Sequence, residues 1–292
     1  MQAEASILLD TYELTLSPIT FDDVPRLHEL SIGVNWPHRP HDWELLLSVG
    51  HGFAARDEIG RIVGSAMWFP MGPGRATIGM VITSPRLQEN GAGRWLMKHV
   101  LAQTKGREKV LNATKPAYRL YLSLGFAPLK TVFQHNGVAH HVPDGPDHAR
   151  PMTEDDRAAI CRLDSLAQAA DRSHIFDLLF PVSQGTVIDR NGTIEGFALC
   201  REFGRGRVIG PVVAASEEDA IALIRPHVIA HKDSFLRMDT REAGGRLSSF
   251  LNDAGIALYD TVTTMTLDCG DPQTMFSSSP YTVYGLVNQA LG

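Results

Sequence analysis

The chain contains one sequence pattern twice, and this repeat constrains its fold more than any other feature. The first copy reads G-x-I-x-G-x-A, then G-x-G-R, then I-G-x-V, over residues 60–66, 72–75 and 78–81. The second copy reads the same letters, at an offset of 132 residues that slips to 131, over residues 192–198, 204–207 and 209–212. Upstream of each copy, P-x-T-x-D-D stands at 18–23 and again at 151–156. So many matches in one order indicate a tandem duplication.

The length agrees with a duplication. A chain of 292 residues corresponds to roughly two domains of about 150 residues each, and a domain of that size can bury a hydrophobic core. Residues 143–147 read P-D-G-P-D, a composition that favours turns and linkers. We therefore predict a first domain over residues 1–142, a linker over 143–147 and a second domain over 148–292.

Composition excludes several classes of protein. Hydrophobic residues make up 43% and charged residues 21%, which is typical of a globular chain. The net charge is −6, so no basic surface of the kind that binds nucleic acid is expected. Residues 146–292 carry 13 Lys and Arg against 20 Asp and Glu, and this excess of acid favours a cationic acceptor over an anionic one.

Targeting and redox signals are also informative. No apolar run reaches the ~18 residues of a membrane span, and residues 1–4 lack the basic start of a secretory signal. The cysteines, Cys161, Cys200 and Cys269, are odd in number and far apart, which is typical of reduced thiols and excludes a cysteine zinc site. We therefore expect a cytoplasmic protein that uses no metal and binds no membrane.

The repeats predict the same order of elements in both halves. Glycines separate β-branched and apolar runs, which is typical of strands joined by hairpins. Thr20 and Thr153 precede acidic residues and are suited to cap helices. We expect each half to open with a strand, to continue through one or two helices and a three-stranded meander, and then to form another helix.

The segment from residue 78 to residue 103 predicts an anion site. A strand over 78–83 is followed by Pro85, which cannot donate a ladder hydrogen bond. The chain then reads Q-E-N-G-A-G-R over 88–94, and a helix is predicted over 95–103. Glycines between strand and helix let backbone N–H groups approach a diphosphate, and the helix N-terminus adds partial positive charge. Taken alone, this pattern also fits an ordinary flexible helix start.

A second segment makes the pattern specific. A strand is predicted over 110–114, and A-Y-R-L-Y-L-S-L over 117–124 predicts a helix that ends at G-F. In order and spacing the two segments resemble the GNAT (Gcn5-related) acyl-CoA-dependent N-acyltransferases, which share a Q/R-x-x-G-x-G/A loop and a later A-x-x-L-Y-x-x-x-G-F helix. The resemblance covers about residues 12–142, with a degenerate copy in 147–292. It implies an α/β fold of two GNAT-like domains, each a mixed, mostly antiparallel twisted sheet flanked by helices.

The resemblance implies acetyl-CoA as the cofactor and assigns residues to it. The backbone around Ile82 and Thr83 would bind the pantetheine arm, and Tyr118 would lie beside the cofactor. Arg86 and Arg94 are either phosphate contacts or solvated surface side chains. The pyrophosphate would be held by the main-chain N–H groups of Gln88, Glu89, Asn90, Gly91, Ala92, Gly93 and Arg94.

Tyr121 stands where the family places a general acid that protonates the leaving thiolate. A phenol with an ordinary pKa near 10 can supply that proton; the alternative is an aromatic side chain packed in the core. Family members often carry Asn three residues before the alanine of this helix, where this chain has Thr114. Thr114 can still donate and accept a hydrogen bond, and Asn112 is a second candidate for the same role.

The second copy lacks both features. Its counterpart of the glycine turn, residues 213–219, has no glycine and ends in three carboxylates, which suit a helix start but would repel a diphosphate. Leu251 stands four residues before Gly255, in the place of Tyr121. We therefore predict one active site, in the first half, and a second half that is structural or binds the acceptor.

The group that deprotonates the amine is left open, because no Asp or Glu lies on the strand over 78–83. Asp239 either faces a cleft between the halves or ends an exposed strand. The segment 35–41, between the first two helices, either borders the acceptor or packs as an ordinary loop. The candidate bases are His135, His140, His141 and the carboxylate of Gly292, and for the histidines ordinary surface or core positions are the alternative.

These features predict an acetyl-CoA-dependent N-acetyltransferase that acts on a small amine-bearing acceptor by direct attack of the amine on the thioester. Two alternatives stay open: a non-catalytic CoA-binding or regulatory module, and an acyltransferase that acts on a protein amine. Tyr121 argues against the first, because a sensor needs no proton donor. The duplicated architecture favours an acceptor that is enclosed between the halves.

Overall fold

Fourteen strands form one continuous sheet in the computed structural model, which describes residues 5–9, 12–88, 90–270 and 279–292. The strands are β1 (Ser6–Leu9), β2 (Tyr12–Pro18), β3 (His51–Arg56), β4 (Ile62–Met71), β5 (Arg75–Thr83), β6 (Glu108–Ala113), β7 (Ala127–Val138), β8 (Arg150–Pro151), β9 (Ser183–Arg190), β10 (Thr193–Phe203), β11 (Gly206–Ala214), β12 (Phe235–Thr240), β13 (Ala257–Leu267) and β14 (Thr282–Gly285). The helices are α1 (Val24–Gly33), α2 (Pro40–Val49), α3 (Ala92–Gln103), α4 (Tyr118–Ser123), α5 (Arg157–Gln168), α6 (Ser173–Leu179), α7 (Glu217–Ala230) and α8 (Gly245–Asp253).

The predicted fold class is confirmed. Most neighbouring strands are antiparallel, while β5 with β6 and β11 with β12 are parallel. In the first half β2 leads to α1, α2, the meander β3–β5 and then α3; in the second half β8 leads to α5, α6, the meander β9–β11 and then α7. Both halves therefore follow the element order that the repeats predict.

The repeated P-x-T-x-D-D motif starts the first helix of each half in the same way. The carboxylate of Asp23 accepts a hydrogen bond from the backbone N–H of Thr20 at 3.1 Å, and that of Asp156 accepts one from Thr153 at 2.7 Å. Each carboxylate also pairs with an arginine from a neighbouring strand. The motif therefore satisfies backbone donors at a helix start and ties the helix to the sheet.

The two halves exchange long strands near the middle of the sheet. The strand order is β1-β2-β3-β4-β5-β6-β13-β7-β12-β11-β10-β9-β8, and β14 pairs with β11. β13 of the second half thus lies between β6 and β7 of the first, with Thr263 opposite Ala113 on one side and Thr131 on the other. β7 in turn pairs with β12, where Asn136 lies opposite Arg237. The two sequence repeats therefore share one sheet.

Both halves contribute to a single core on one face of this sheet. Helices α1 and α2 pack there beside α5 and α6, around side chains such as Trp43 and Phe176, which are fully buried. On the opposite face α3 and α4 cover the first half, and α7 and α8 cover the second. The helices of the shared face thus hold the two halves together in addition to the exchanged strands.

The exchanged strands predict that neither half folds alone as a stable monomer. A fragment of residues 1–147 keeps β7 but loses β12 and β13, whose hydrogen bonds β7 uses on both of its edges. An unpaired strand of this length is a template for association. We expect fragments 1–147 and 148–292 to aggregate or self-associate when made separately, and to form a 1:1 complex when coexpressed, as measured by size-exclusion chromatography with light scattering. A monomeric, cooperatively unfolding 1–147 fragment would contradict this expectation.

His227 predicts a loss of stability in acid. The side chain is 3% exposed within α7, its Nε2 lies 3.2 Å from Thr186 Oγ1, and burial lowers its pKa from 6.5 to about 4. Below pH 6.5 His227 therefore binds a proton in the unfolded chain but not in the folded chain. The free energy of unfolding falls as the pH is lowered, until the pKa of the folded state is reached. The free energy of unfolding should decrease by up to about 3 kcal/mol between these two pH values.

This pH dependence is measured by urea unfolding at a series of pH values. His227→Gln should flatten the slope, whatever its effect on stability at neutral pH. His140→Gln, at an exposed histidine, serves as the control and should leave the slope unchanged. An equal slope in wild type and His227→Gln would show that His227 does not cause the dependence.

Candidate active site

β5 and β6 run parallel and then separate, which leaves a fork in the sheet of the first half. They are paired from Arg75 opposite Glu108 to Ile78 opposite Leu111. Beyond this point β5 stays bound to β4 on its other side, while β6 pairs with β13. No described strand pairs with β5 on the fork side over residues 79–83. An extended molecule can therefore add to this edge as a further strand.

Met80 marks the place where the strands separate. Its φ is 52°, in the left-handed region that a residue with a side chain seldom adopts. The register of β4 against β5 shifts at this point, so β5 carries a bulge. The hydroxyl of Ser65 donates to the Met80 carbonyl oxygen at 2.8 Å and stabilises the strained backbone. Strain of this kind is typical of functional sites.

The predicted glycine turn lies at the open end of the fork. Gly91, with φ of 91°, precedes α3, so the helix begins at Ala92 and not at the expected Trp95. Glycine adopts this conformation without steric cost. The first backbone N–H groups of α3 have no intrahelical acceptor, and the helix dipole makes their potential more positive. A Cβ on Gly93 would lie 3.2 Å from Leu120 Cδ2, so α4 packs close beside the turn.

Two polar side chains of the turn are bound within the protein. Gln88 donates to the carbonyl oxygen of the last β5 residue at 3.3 Å. Arg94 donates to Ser123 Oγ on α4 at 2.6 Å, so its guanidinium joins α3 to α4. Arg86 is exposed, and Glu89 lies outside the described residues. The turn therefore presents backbone groups more directly than side chains.

Tyr121 lies inside the first half, on the same face of the sheet as the glycine turn. Its side chain is 5% exposed, and its ring contacts Phe126 edge-on with centroids 5.9 Å apart. It shares an apolar cluster with Ala92, and Tyr118 packs against the same cluster. Burial raises the pKa of the Tyr121 phenol, so the group stays protonated in neutral solution. Both predicted roles, core aromatic and proton donor, are compatible with this position.

The second half reaches the fork through residues 286–292. The carbonyl oxygen of Gln289 accepts a hydrogen bond from Asn112 Nδ2 at 2.7 Å, and Asn112 Oδ1 accepts one from Thr264 on β13 at 2.7 Å. A Cβ on Gly79 would lie 2.6 Å from the Cβ of Ala290. Asn112 thus joins β6, β13 and this segment beside the fork. Neither the repeat nor any motif marks the contribution, because it depends on contacts between segments far apart in sequence.

The corresponding fork of the second half is filled by the protein itself. β11 and β12 pair at residues 207–208 and 236–237, and β14 then pairs with β11 beyond that point. The backbone N–H of Leu286 donates to the Asp239 carbonyl oxygen at 2.9 Å, which closes the gap toward β12. β14 therefore occupies the place that stays open in the first half.

A carboxylate occupies the second half's counterpart of the glycine turn. Ser216 caps α7 by accepting a hydrogen bond from the Asp219 backbone at 3.1 Å. Glu217 accepts one from the backbone N–H of Arg246, in the first turn of α8, at 3.3 Å. The backbone of Gly245 lies against the same carboxylate with no room for a side chain. An anionic side chain thus stands where the first half presents N–H groups.

The three candidate histidines lie away from the fork. His135 is buried in β7, which β13 separates from β6, and its Nδ1 lies 3.2 Å from the Ile256 carbonyl oxygen. Burial lowers its pKa. His140 and His141 follow β7 and are exposed, and the His140 backbone bonds to Ala254 of the second half. At these positions none of the three imidazoles lies at the fork.

Asp239 is fully buried, so the expectation of an exposed strand end is wrong. Arg237 pairs with it at 2.8 Å, and Gln289 Nε2 donates to it at 3.2 Å and to Gln134 at 3.3 Å. The ion pair neutralises the carboxylate, which is the condition for burying it. Its role here is to hold the segment that carries Gln289.

The segment 35–41 packs against the second half. The His38 ring meets Phe203 edge-on with centroids 5.5 Å apart, and Arg39 pairs with Glu202 at 3.0 Å. The adjoining Asp42 accepts a hydrogen bond from the backbone N–H of Gly204 at 3.0 Å. These contacts favour the interpretation of the segment as loop packing.

The described residues hold neither a metal-binding cluster nor a membrane-spanning helix. Among the described residues, no group of three His, Cys, Asp or Glu side chains is arranged to hold a metal ion. In the same part of the chain, no helix combines the length and the apolar character that crossing a bilayer requires.

Comparison with known families finds the same domain type twice. The model of the Acetyltransferase (GNAT) family matches residues 20–126, and the model of an Acetyltransferase (GNAT) domain matches residues 160–277. A UPF0039 protein of Schizosaccharomyces pombe is 30% identical, over 33% of this chain and 67% of its own length. The two matched ranges correspond to the two sequence repeats.

Solved structures share the fold over most of this chain. A candidate acetyltransferase from Pyrococcus horikoshii has a TM-score of 0.77 at 17% identity and covers 96% of both chains. A tandem GNAT protein from the clavulanic acid biosynthesis pathway has a TM-score of 0.63 at 15% identity, over 88% of this chain and 99% of its own. A GCN5-related N-acetyltransferase from Sphaerobacter thermophilus has a TM-score of 0.60 at 14% identity, over 87% and 95%. The chain belongs to the GNAT family of N-acetyltransferases and carries two GNAT domains in tandem.

Proposed function

We propose that the first half binds acetyl-CoA and transfers its acetyl group to a small amine by direct attack of the amine on the thioester. The observation that carries this proposal is the contrast between the two forks. The fork of the first half is open and ends at a glycine turn, whereas β14 and Glu217 occupy the corresponding places of the second half. One acetyl-CoA per chain is therefore expected.

The pantetheine arm and the pyrophosphate of the cofactor have matching groups in the first half. The amides of the pantetheine arm add to the open edge of β5 at Ile82 and Thr83, as an extra strand would. The pyrophosphate is held by the main-chain N–H groups at the start of α3, where a helix N-terminus favours negative charge. Arg94 contributes by holding α4 against α3. The bulge at Met80 keeps β5 and β6 apart, so that the thioester can reach the plane of the sheet.

The reaction needs one proton donor on the cofactor side. The neutral amine attacks the thioester carbonyl and its nitrogen then loses a proton to water. The tetrahedral intermediate collapses, and the C–S bond breaks to release a thiolate. Tyr121 lies on the face that carries α3 and α4 and donates its phenolic proton to this sulfur. Its raised pKa means that the phenol carries this proton at neutral pH. The remaining rate gain comes from positioning the amine and the thioester together.

Replacing Tyr121 with Phe tests the proton donor. The exchange removes one hydroxyl and keeps the ring that packs on Phe126, so we expect kcat to fall roughly 10²–10⁴-fold while the Kd for CoA stays within about twofold. Steady-state kinetics with release of free CoA measures the first value and calorimetry the second.

The matched control is Tyr259→Phe, at a tyrosine of β13 that is 69% exposed, and it should leave both values unchanged. Because the raised pKa keeps Tyr121 protonated, the wild-type kcat should show no basic limb below the ordinary tyrosine pKa of 10.0. Wild-type turnover by Tyr121→Phe would remove the residue from the mechanism.

Replacing Gly93 with Asp tests the glycine turn. A carboxylate about 4 Å from a phosphate costs about 4 kcal/mol at an effective dielectric constant of 20, so CoA affinity should drop by roughly 100-fold or more. Gly93→Ala adds only a Cβ, 3.2 Å from the flexible end of Leu120, and should cost much less. Calorimetry with CoA measures both.

The control for charge is Gly244→Asp, which adds the same carboxylate before α8 in the second half. Gly244 has open space where a Cβ would go, and CoA affinity should not change. Equal binding by Gly93→Asp and wild type would place the cofactor elsewhere, and a loss in Gly244→Asp would point to the second half.

The activity itself is tested by following thioester consumption with a panel of amino acids, polyamines and aminoglycosides. Acetyl-CoA binding together with turnover of at least one amine supports the proposal. Acetyl-CoA binding without turnover of any amine, including lysine side chains of peptides, would favour a CoA-binding regulatory module instead.

A further inference from the structure

A small pocket lies between the two halves, on the face of the sheet opposite to α3 and α4. Its floor is formed by β5 and β6 up to their last pair, Ile78 opposite Leu111, so the pocket begins where the fork opens. Asn112 and Gln289, which meet beside the fork, belong to its wall, and so do residues from the end of α5 and the segment that follows it. A molecule in this pocket would therefore face the thioester from the side opposite to the cofactor.

The charged side chains of the wall are all cationic. Arg75, Arg172 and Arg241 line the pocket, and no described lining residue is an Asp or Glu. Arg75 is held by Glu108 at 3.3 Å and by the Gln168 carbonyl oxygen at 2.8 Å, so its position is fixed. Apart from the carboxylate of Gly292, no acidic group of residues 146–292 lines this pocket among the described residues.

Arg172 is the most rigid of the three. It is 2% exposed and pairs with the buried carboxylate of Asp164 at 2.6 Å. Its remaining donor bonds to the carbonyl oxygen of Leu291 at 3.0 Å and to a carboxylate oxygen of Gly292 at 2.7 Å. These contacts hold residues 291–292 in the wall of the pocket, so the second half completes a surface that the first half begins.

Two buried hydrogen-bond donors in the same wall lack a partner. Thr77 on β5 is 8% exposed, and Gln168 at the end of α5 is 7% exposed. Neither Thr77 Oγ1 nor Gln168 Nε2 has a hydrogen-bond partner among the residues that the structure describes. Buried polar atoms are nearly always paired. Two unpaired donors in one small pocket therefore point to a missing acceptor of hydrogen bonds.

The size of the pocket limits which hydrogen-bonding group can enter it. Its cavity volume is about 30 Å³, enough for about two water-sized atoms. The two oxygens of a carboxylate match this volume and the two free donors. A carboxylate is also the anion that amino-acid-like amines carry within a few bonds of the nitrogen.

We infer that this pocket binds the carboxylate of the acceptor, so that the substrates are small amino acids whose amine reaches the fork. The inference rests on the proposed acetyl transfer. Thr77 and Gln168 donate to the carboxylate oxygens, and Arg241 adds positive charge to the wall. The enzyme then selects an acceptor by its acid group and acetylates its amine, although the second half is acidic as a whole.

The second repeat indicates a substitution for Thr77 that the fold tolerates. Val208 of β11 stands at the position of Thr77 in the second copy and is fully buried there. Thr77→Val therefore installs a side chain that this fold already accepts at the same strand position. Combined with Gln168→Met, which keeps a long side chain, it removes both donors without adding charge or much volume.

The test compares ω-amino acids with their amides. Glycine, 4-aminobutanoate and 5-aminopentanoate are each paired with the corresponding carboxamide, and kcat/KM is measured with acetyl-CoA. We expect wild type to prefer at least one carboxylate over its amide by tenfold or more, and the double variant to lose that preference while its CoA affinity stays within twofold. Thr104→Val removes a buried hydroxyl at the distant end of α3 and should keep the preference.

The outcomes separate this inference from the proposed function. Acetylation of amines with no carboxylate preference in wild type, or a preference that survives in the double variant, would overturn the inference and leave the transfer reaction standing. If no amine is acetylated, calorimetry of the CoA-loaded protein with 5-aminopentanoate tests whether the pocket binds a carboxylate. Binding by wild type but not by the double variant supports the pocket without the reaction, and absence of binding by wild type rejects it.

Discussion

The backbone hydrogen bonds of β13 are the constraint on which the rest of this structure depends. The strand pairs with β6 on one edge and β7 on the other, so the last long strand of each half is completed by the other half. This exchange brings residues 286–292 to the first half, because the chain leaves β13 and returns through β14. It also explains why one core, on the face shared by α1, α2, α5 and α6, serves both repeats.

The two forks form in the same way but differ in whether the protein fills them. Both arise where a parallel pair of strands diverges after a few residues, which is a property of the shared fold. In the second half β14 pairs with β11 and fills the gap, and the Glu217 carboxylate, in the first turn of α7, accepts a hydrogen bond from the start of α8. In the first half Ser65 holds the bulge at Met80 and the edge of β5 stays available. In the proposed function, the duplication supplies one reactive site and one supporting half.

Much of the fold and part of the site could be predicted from local sequence. The repeat predicts the order of elements because glycines and capping residues act over a few positions, as Thr20 with Asp23 shows. The glycine turn is equally local, and only the start of α3 was misplaced, because the left-handed Gly91 ends the loop earlier. For Asp239 the sequence left open a cleft between the halves or an exposed strand end. The second alternative is wrong, because the side chain is buried in an environment set by Arg237 and by Gln289, which is fifty residues away.

The sequence by itself determined the duplication, the family, the glycine turn and the loss of that turn in the second copy, since each depends on residues close together in the chain. Only the tertiary structure decided that the halves exchange strands, that β14 fills one fork, and that Thr77 and Gln168 face one small pocket. The physical reason is that pairing and burial between distant segments depend on the whole arrangement of the sheet. Overall charge, likewise, does not specify which side chains line a pocket.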